Sequence, residues 1–280
     1  MEGGTKIFCM VNYACTIAGS EATGGAGAQT DIKTFHELGT FAVAALTCIV
    51  SFDPKNSWGH RFVPVDPQVI RDQIEAITAV HPVDTVKIGM LGAPDTIDAV
   101  ADELGKREWR NVVVDPVLIC KEDTATAAKA TDDLLRKRIL PHATVLTPNA
   151  IEAEILSGIK VTDVESLKEA AKVIQESGVP YVVAKGGALL PGDDAVDVLY
   201  DGESFTEYRA PKIGERYVTG AGCTLAAAIT AELAKGATVP DAVQTAKEFV
   251  TYAIQHRVEP PTPFDEVRQL GYQEAKRSAR

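Results

Sequence analysis

Short runs rich in valine and isoleucine alternate with longer segments whose apolar residues recur at helical spacing, and this alternation restricts the chain more than any other feature. The runs at 41–51, 111–115, 143–146 and 181–184 have the length and composition of strands buried on both faces. Helical patterns at 67–79, 95–106, 126–138, 164–177 and 239–256 lie among them, often behind a Pro, Asp or Thr start signal. Strand, helix and strand in repetition build βαβ units, and hence an α/β fold with a mostly parallel sheet and helices on both faces. One stretch departs from the pattern. Residues 195–208 alternate about Asp201 and Gly202 as a hairpin does, which predicts a small antiparallel extension or lid.

Composition narrows the partners. A chain of 280 residues, 45% hydrophobic and 24% charged, can bury a sizeable core, and it is expected to form one domain with a tail from about 259. Its formal net charge of -11 argues against nucleic acid or an anionic membrane as the main partner. The start, MEGGTKIFCMVNYAC, lacks the basic region and long apolar run of a signal peptide, and no apolar segment approaches membrane-spanning length. Cysteines at 9, 15, 48, 120 and 223 are odd in number and show no zinc spacing, which suits a reducing cytoplasm. His36, His81, His142 and His256 are scattered and read as surface or helix-end residues.

Ligands of parallel sheets bind beyond the carboxyl ends of the strands, and the richest polar segments of this chain fall there: 19–31, 115–122, 147–152 and 185–187. In VTGAGCTLAAAITAELAKG (218–236), glycines bracket the start of an apolar helix. Free N–H groups and the positive end of the helix dipole make Gly220, Ala221 and Gly222 a candidate anion site. The same dipole should bring the Cys223 thiol below its ordinary pKa of about 8.5, which makes it a candidate general base. Taken alone, the segment fits a glycine turn into a core helix equally well, with Cys223 as a small buried residue. The segment TIAGSEATGGAGAQTDIKTF (16–35) is a strand and a glycine-rich turn leading to a helix with Asp31. It has neither the Gly-Lys-Ser/Thr of a Walker A loop nor GxGxxG spacing, and reads as close approach of a ligand or as a tight turn. In LTPNAIEAEIL (146–156), Asn149 and Glu152 stand three apart at a helix start, where a carboxylate can hold Mg²⁺ or simply complete a cap. Lys185 closes the strand of VVAKGGALL (182–190), within reach of a phosphate or of solvent.

In order along the chain, AGSEATGGAGAQTDIKTF, KIGML (87–91), VVVDPVLICK (112–121), TPNAIEAE (147–154), AKGG (184–187) and GAGCT (220–224) resemble the ribokinase superfamily. Within it the chain is most similar to the hydroxymethylpyrimidine kinase group, which includes a class of bacterial pyridoxal/pyridoxine kinases. The resemblance spans about residues 14–256. It implies a three-layer α/β/α sandwich and ATP-dependent phosphorylation of a hydroxymethyl group on a small aromatic heterocycle, with Mg²⁺ accompanying the nucleotide. It implies an anion hole at Gly220, Ala221, Gly222 and Cys223, with Cys223 where most sugar kinases of the superfamily carry Asp. It assigns Asn149 and Lys185 to the nucleotide, together with Gly220 and Gly222, and Glu152 to the metal. Gly19, Asp31, Met90 and Val117 would line the heterocycle pocket, and a cytoplasmic homodimer is expected.

The substrate follows from a departure. Pyrimidine kinases of the group typically carry glutamine in a VAQNT-like segment, but here VSFDPKNSWGHRF (50–62) stands in its place. The glutamine is missing, and the longer insert with Asp53, Asn56, Trp58 and His60 resembles the pyridoxal kinase branch; the plainer alternative is an ordinary aromatic hairpin. Cys120, near the pocket by the same resemblance, could add to the aldehyde of pyridoxal as a hemithioacetal, or be an inert buried thiol. The expected activity is phosphorylation of the 5′-hydroxymethyl group of pyridoxal, pyridoxine or pyridoxamine. Hydroxymethylpyrimidine/phosphomethylpyrimidine kinase is the rival reading, and a catalytically silent ligand sensor is the alternative from another class.

Overall fold

The computed structural model describes residues 11–117, 125–214, 217–260, 262 and 264–279. The chain runs β1 (Tyr13–Glu21), α1 (Gly27–Glu37), β2 (Phe41–Asp53), β3 (Gly59–Pro64), α2 (Pro67–Val80), β4 (Thr85–Ile88), α3 (Pro94–Gly105), β5 (Asn111–Val114) and α4 (Ala125–Arg138). It continues through β6 (Val145–Leu146), α5 (Ala150–Ser157), α6 (Val164–Gln175), β7 (Tyr181–Lys185), β8 (Asp194–Tyr200) and β9 (Phe205–Pro211). The last elements are β10 (Val218–Thr219), α7 (Ala221–Ala234), α8 (Val239–Gln255), β11 (Asp265–Glu266) and α9 (Tyr272–Ser278).

Among the described residues the main sheet has nine strands in the order β3-β2-β1-β4-β5-β6-β7-β8-β9. The strands from β2 to β7 pair in parallel, and antiparallel hairpins close both edges, β2 with β3 and β7 with β8 and β9. Alternation along the strands divides the core. Val112, Val114, Val182 and Ala184 pack on one face with α2 to α6, while Val113, Val145 and Val183 face Phe35 of α1 and the apolar faces of α7 and α8. The three-layer α/β/α sandwich is therefore present, with burial on both faces as the uninterrupted valine runs require.

The differences from the expected elements have local causes. The run at 143–146 yields only a two-residue strand, because the 3₁₀ turn over Leu140–His142 takes the Ala143 N–H for the Leu140 carbonyl. The hairpin at 195–208 is longer than its alternation suggested, and its turn is built by the Asp201 carboxylate, which accepts from the N–H groups of Glu203 and Ser204. The insert at 50–62 is a second hairpin, with Ser57 and Trp58 at positive φ in its turn. The tail packs on the body: β11 pairs with β10, and Tyr272 of α9 packs edge-on against Phe249 and Tyr252.

Candidate active site

The start of α7 is built so that no side chain obstructs it. Gly220 adopts φ +82°, and a Cβ there would stand 1.8 Å from the carbonyl oxygen of Gly25. No side chain caps this end, which leaves the first N–H groups of α7 available to an anion. A Cβ on Gly222 would lie 3.2 Å from Nζ of Lys185, so the ammonium at the end of β7 sits directly against the helix start.

Lys185 is anchored rather than loose. Its Nζ donates to Oδ1 of Asp115 at 2.7 Å, and the Thr147 hydroxyl donates to the same oxygen at 3.2 Å. Burial works against the ammonium, but the carboxylates of Asp115 and Glu152 outweigh it and raise Lys185 above the usual lysine value. Asn149 is the N-cap of α5: its side chain accepts from Ile151 and Glu152, while Oε2 of Glu152 accepts from the Asn149 N–H at 2.8 Å. Both expected features thus coexist here, a complete capping box and a carboxylate beside Lys185. Burial pushes Glu152 up to about 7, with Lys185 pulling it down and Asp115 adding to the rise. Asn149, Lys185, Ala221 and Gly222 border one cavity of about 170 Å³ whose other walls include Leu189, Ile213 and Val250. Gly220 stands just behind it as the N-cap. Beneath its glycine turn Lys247 and Asp197 form a buried pair at 2.7 Å, and Asp197 also accepts from the Gly187 N–H.

The residues expected to line the heterocycle pocket follow other strand ends. Gly19 near the end of β1, Met90 after β4 and Val117 after β5 follow three adjacent strands, so the topology gathers them at one edge. A side chain at Gly19 is excluded by Sγ of Cys48, 2.5 Å from its Cβ position, and the Thr47 hydroxyl fixes the Met90 carbonyl at 2.6 Å. Asp31 corrects the expectation. It is fully buried, with both carboxylate oxygens 2.9 Å from Nζ of Lys87 and one accepting from the Thr16 hydroxyl at 2.6 Å. A carboxylate in a sealed strand-helix layer needs such a partner, and this one is fully engaged. Cys120 lies outside the described residues.

Cys223 brings a second correction. Its thiol is pushed up to about 11 rather than down. Loss of water dominates, and the carboxylates of Asp115 and Asp31 add to it, against the opposing charge of Lys87. The helix terminus alone suggested the opposite sign because the carboxylates come from distant segments.

Sequence reasoning missed Lys87, Asp115, Thr147 and the tail. Lys87 had a signal, a lone cation inside an apolar strand, and Asp115 closed another strand. The tail had none: the Thr23 hydroxyl lies 2.7 Å from the carboxylates of Glu21 and Glu266, while Gln269 donates to the Thr224 hydroxyl at 3.2 Å. Phe264 stacks on Phe52 of the 50–62 hairpin with centroids 4.7 Å apart and meets Trp58 edge-on at 5.8 Å.

With this geometry in place, the phosphomethylpyrimidine kinase model matches residues 21–266. The chain belongs to the phosphomethylpyrimidine kinase family. Within that family, the pyridoxine kinase of Bacillus subtilis is 46% identical over 246 residues, 88% of this chain and 91% of its own. The pyridoxal kinase of Staphylococcus aureus in complex with AMP-PCP and pyridoxal is similar with a TM-score of 0.87 at 37% identity, covering 94% of this chain and 95% of that one. The phosphomethylpyrimidine kinase of Clostridium difficile gives a TM-score of 0.74 at 35% identity, covering 88% and 100%.

Proposed function

We propose that the protein is an ATP-dependent kinase that phosphorylates the 5′-hydroxymethyl group of pyridoxal, pyridoxine or pyridoxamine. What supports this reading is the 50–62 hairpin, which by the family resemblance stands where pyrimidine kinases carry glutamine and whose Phe52 and Trp58 pack on Phe264 of the tail. The greater likeness to pyridoxine and pyridoxal kinases supports the same substrate class.

In this reading the nucleotide occupies the cavity beside Asn149 and Lys185, and its terminal phosphate meets the N–H groups of Gly220, Ala221 and Gly222. Lys185, already cationic, neutralises phosphate charge. Gly19, Met90 and Val117 border the heterocycle, and Cys120 is the candidate thiol for the pyridoxal aldehyde. Cys223 accepts the hydroxyl proton late, when bond formation to phosphorus is advanced, and a strongly basic thiolate suits that step even as a minority form. No group of three or more His, Cys, Asp or Glu suited to a metal exists among the described residues. A single carboxylate, Glu152, fits Mg²⁺ that arrives on the nucleotide with its own waters, and bound there the ion would draw charge off the phosphates.

A coupled ADP-release assay with each B6 vitamer and with hydroxymethylpyrimidine tests the proposal. Turnover on a vitamer is expected; turnover on the pyrimidine alone transfers the assignment to the rival kinase. Nucleotide binding without turnover on either substrate marks a sensor. A cytoplasmic homodimer belongs to the same proposal. No described helix is long and apolar enough to cross a membrane, and exposed Ile49, Phe62 and Val63 on the edge hairpin offer a surface for a second copy. Light scattering of the purified protein, giving twice the chain mass or only once, decides the dimer.

A further inference from the structure

Residues 265–269 of the tail reach the start of α7 from the far end of the chain. The turn there has little to fix it locally: β10 is two residues long, Gly220 adopts φ +82°, and no side chain caps the helix. The tail supplies what is missing. Val218 and Thr219 pair with Asp265 and Glu266, and the Val267 N–H donates to the Thr219 carbonyl at 3.2 Å. A Cβ on Gly220 would stand 3.0 Å from Cγ2 of Val267, and one on Gly25 would stand 2.8 Å from Cδ of Glu266, so both tail side chains lie against the glycines whose backbones meet. The Glu266 carboxylate also lies 2.7 Å from the Thr23 hydroxyl, and Glu21 accepts from the Thr23 and Gly25 N–H groups to complete that turn. Buried Gln269 donates to the hydroxyl of buried Thr224, in the first turn of α7, at 3.2 Å. The segment is anchored in its turn by Val258, which exchanges both backbone hydrogen bonds with Glu266, and by the Ala253 carbonyl of α8, which accepts from the Arg268 N–H.

We propose that Glu266 and Gln269 are positioning residues of the anion hole: from the tail they hold the 23–25 and 219–224 turns against each other, and so aim the N–H groups of Gly220, Ala221 and Gly222 at the terminal phosphate of the nucleotide. The inference rests on the proposed reading of the α7 start as the phosphate site. Backbone donors act only along the direction their turn gives them, and a misplacement of about 1 Å is enough to cost about 10² in rate. Glycine at 220 keeps that direction free, so it has to be imposed from outside. Neither Glu266 nor Gln269 borders the cavity beside Asn149 and Lys185, so both act through the turns they hold.

The test compares AMP-PCP, which carries a third phosphate group, with ADP, which lacks it, each with Mg²⁺ and titrated calorimetrically into wild type, Gln269→Leu and Glu266→Ala. Affinity for AMP-PCP should fall about fivefold in both variants while affinity for ADP stays within about twofold, and kcat should fall about tenfold with KM for the vitamer unchanged. Glu266→Gln, which keeps an oxygen for the Thr23 hydroxyl, should recover most of the loss. Glu266→Ala alters a half-buried side chain and carries the test if Gln269→Leu does not fold. Tyr272→Leu loosens the tail through its packing on Phe249 without touching either turn, and serves as the control for stability: it should lower the urea midpoint and leave kcat within about twofold. An equal loss of AMP-PCP and ADP affinity, no loss of either, or a fall in kcat in Tyr272→Leu as large as that in Gln269→Leu overturns the proposal alone. Hydrogen exchange of the wild-type peptide spanning 219–224 separates that failure from a deeper one. AMP-PCP should slow it more than ADP does; equal protection by the two nucleotides overturns the phosphate site at α7, and this proposal with it.

Discussion

Two of the buried lysine–aspartate pairs, Lys185–Asp115 and Lys87–Asp31, differ in access rather than in chemistry. Lys185, paired with Asp115, borders the cavity beside Asn149 and Gly222, whereas Lys87–Asp31 is sealed from solvent. A cation at a cavity wall can be shared with an arriving phosphate. A sealed one acts only on its fixed neighbours. In the proposed function the open cation neutralises nucleotide charge, while the sealed one holds α1 against β4 through both oxygens of Asp31.

The largest expected effect concerns the proton acceptor. Cys223→Ala should lower kcat about 10³-fold while leaving nucleotide affinity nearly intact, measured by steady-state kinetics with ATP and pyridoxine. Next is the open pair: Lys185→Met should cost about 10² in kcat/KM for ATP, with much of the loss in KM. A pure kcat loss there would mean that the open cation is not shared with the nucleotide, and would break the comparison.

Glu152 sharpens it through stability. Its folded value of about 7 lies above the ordinary 4.5, so the folded state binds more protons between those pH values. The resulting stabilisation is fully present below pH 4.5 and is lost as pH rises through 7. Glu152→Gln keeps an acceptor for the Asn149 N–H and should stabilise the nucleotide-free protein at pH 8 by on the order of 2 kcal/mol, discounted for partial exposure, with no gain at pH 4. Urea melts at the two pH values check the sign. The smallest effect concerns the aromatic wall: Phe264→Ala should raise KM for the vitamer about fivefold, worth about 1 kcal/mol, and leave KM for ATP unchanged. A change confined to ATP would place Phe264 on the wrong side.

Local patterns carried far. The glycines of GAGCT were legible because a positive-φ helix start admits little else, and Asn149 with Glu152 because capping has a three-residue signature. Lys185 was legible as a strand-end cation, though its partner Asp115 lies 70 residues away. Asp31 was assigned to the pocket by the family resemblance; only the packing of α1 on β1 and β4 reveals Thr16 and Lys87 around it. Glu266 and Phe264 were illegible, since nothing near them in sequence signals contact with Thr23 or Phe52.

Alternation of apolar runs with amphipathic segments by itself determined the layered sheet, and ordered glycine, asparagine and lysine positions marked residues that border one cavity. Such signals are local, fixed by backbone freedom, periodicity and capping. Tertiary structure alone decided the charge state of the site. A thiol read from its helix terminus tends toward the anion, but in place it feels burial, two carboxylates and one sealed ammonium, all brought from other strands and helices. Electrostatic energy depends on distance and solvent access, and the fold alone sets both.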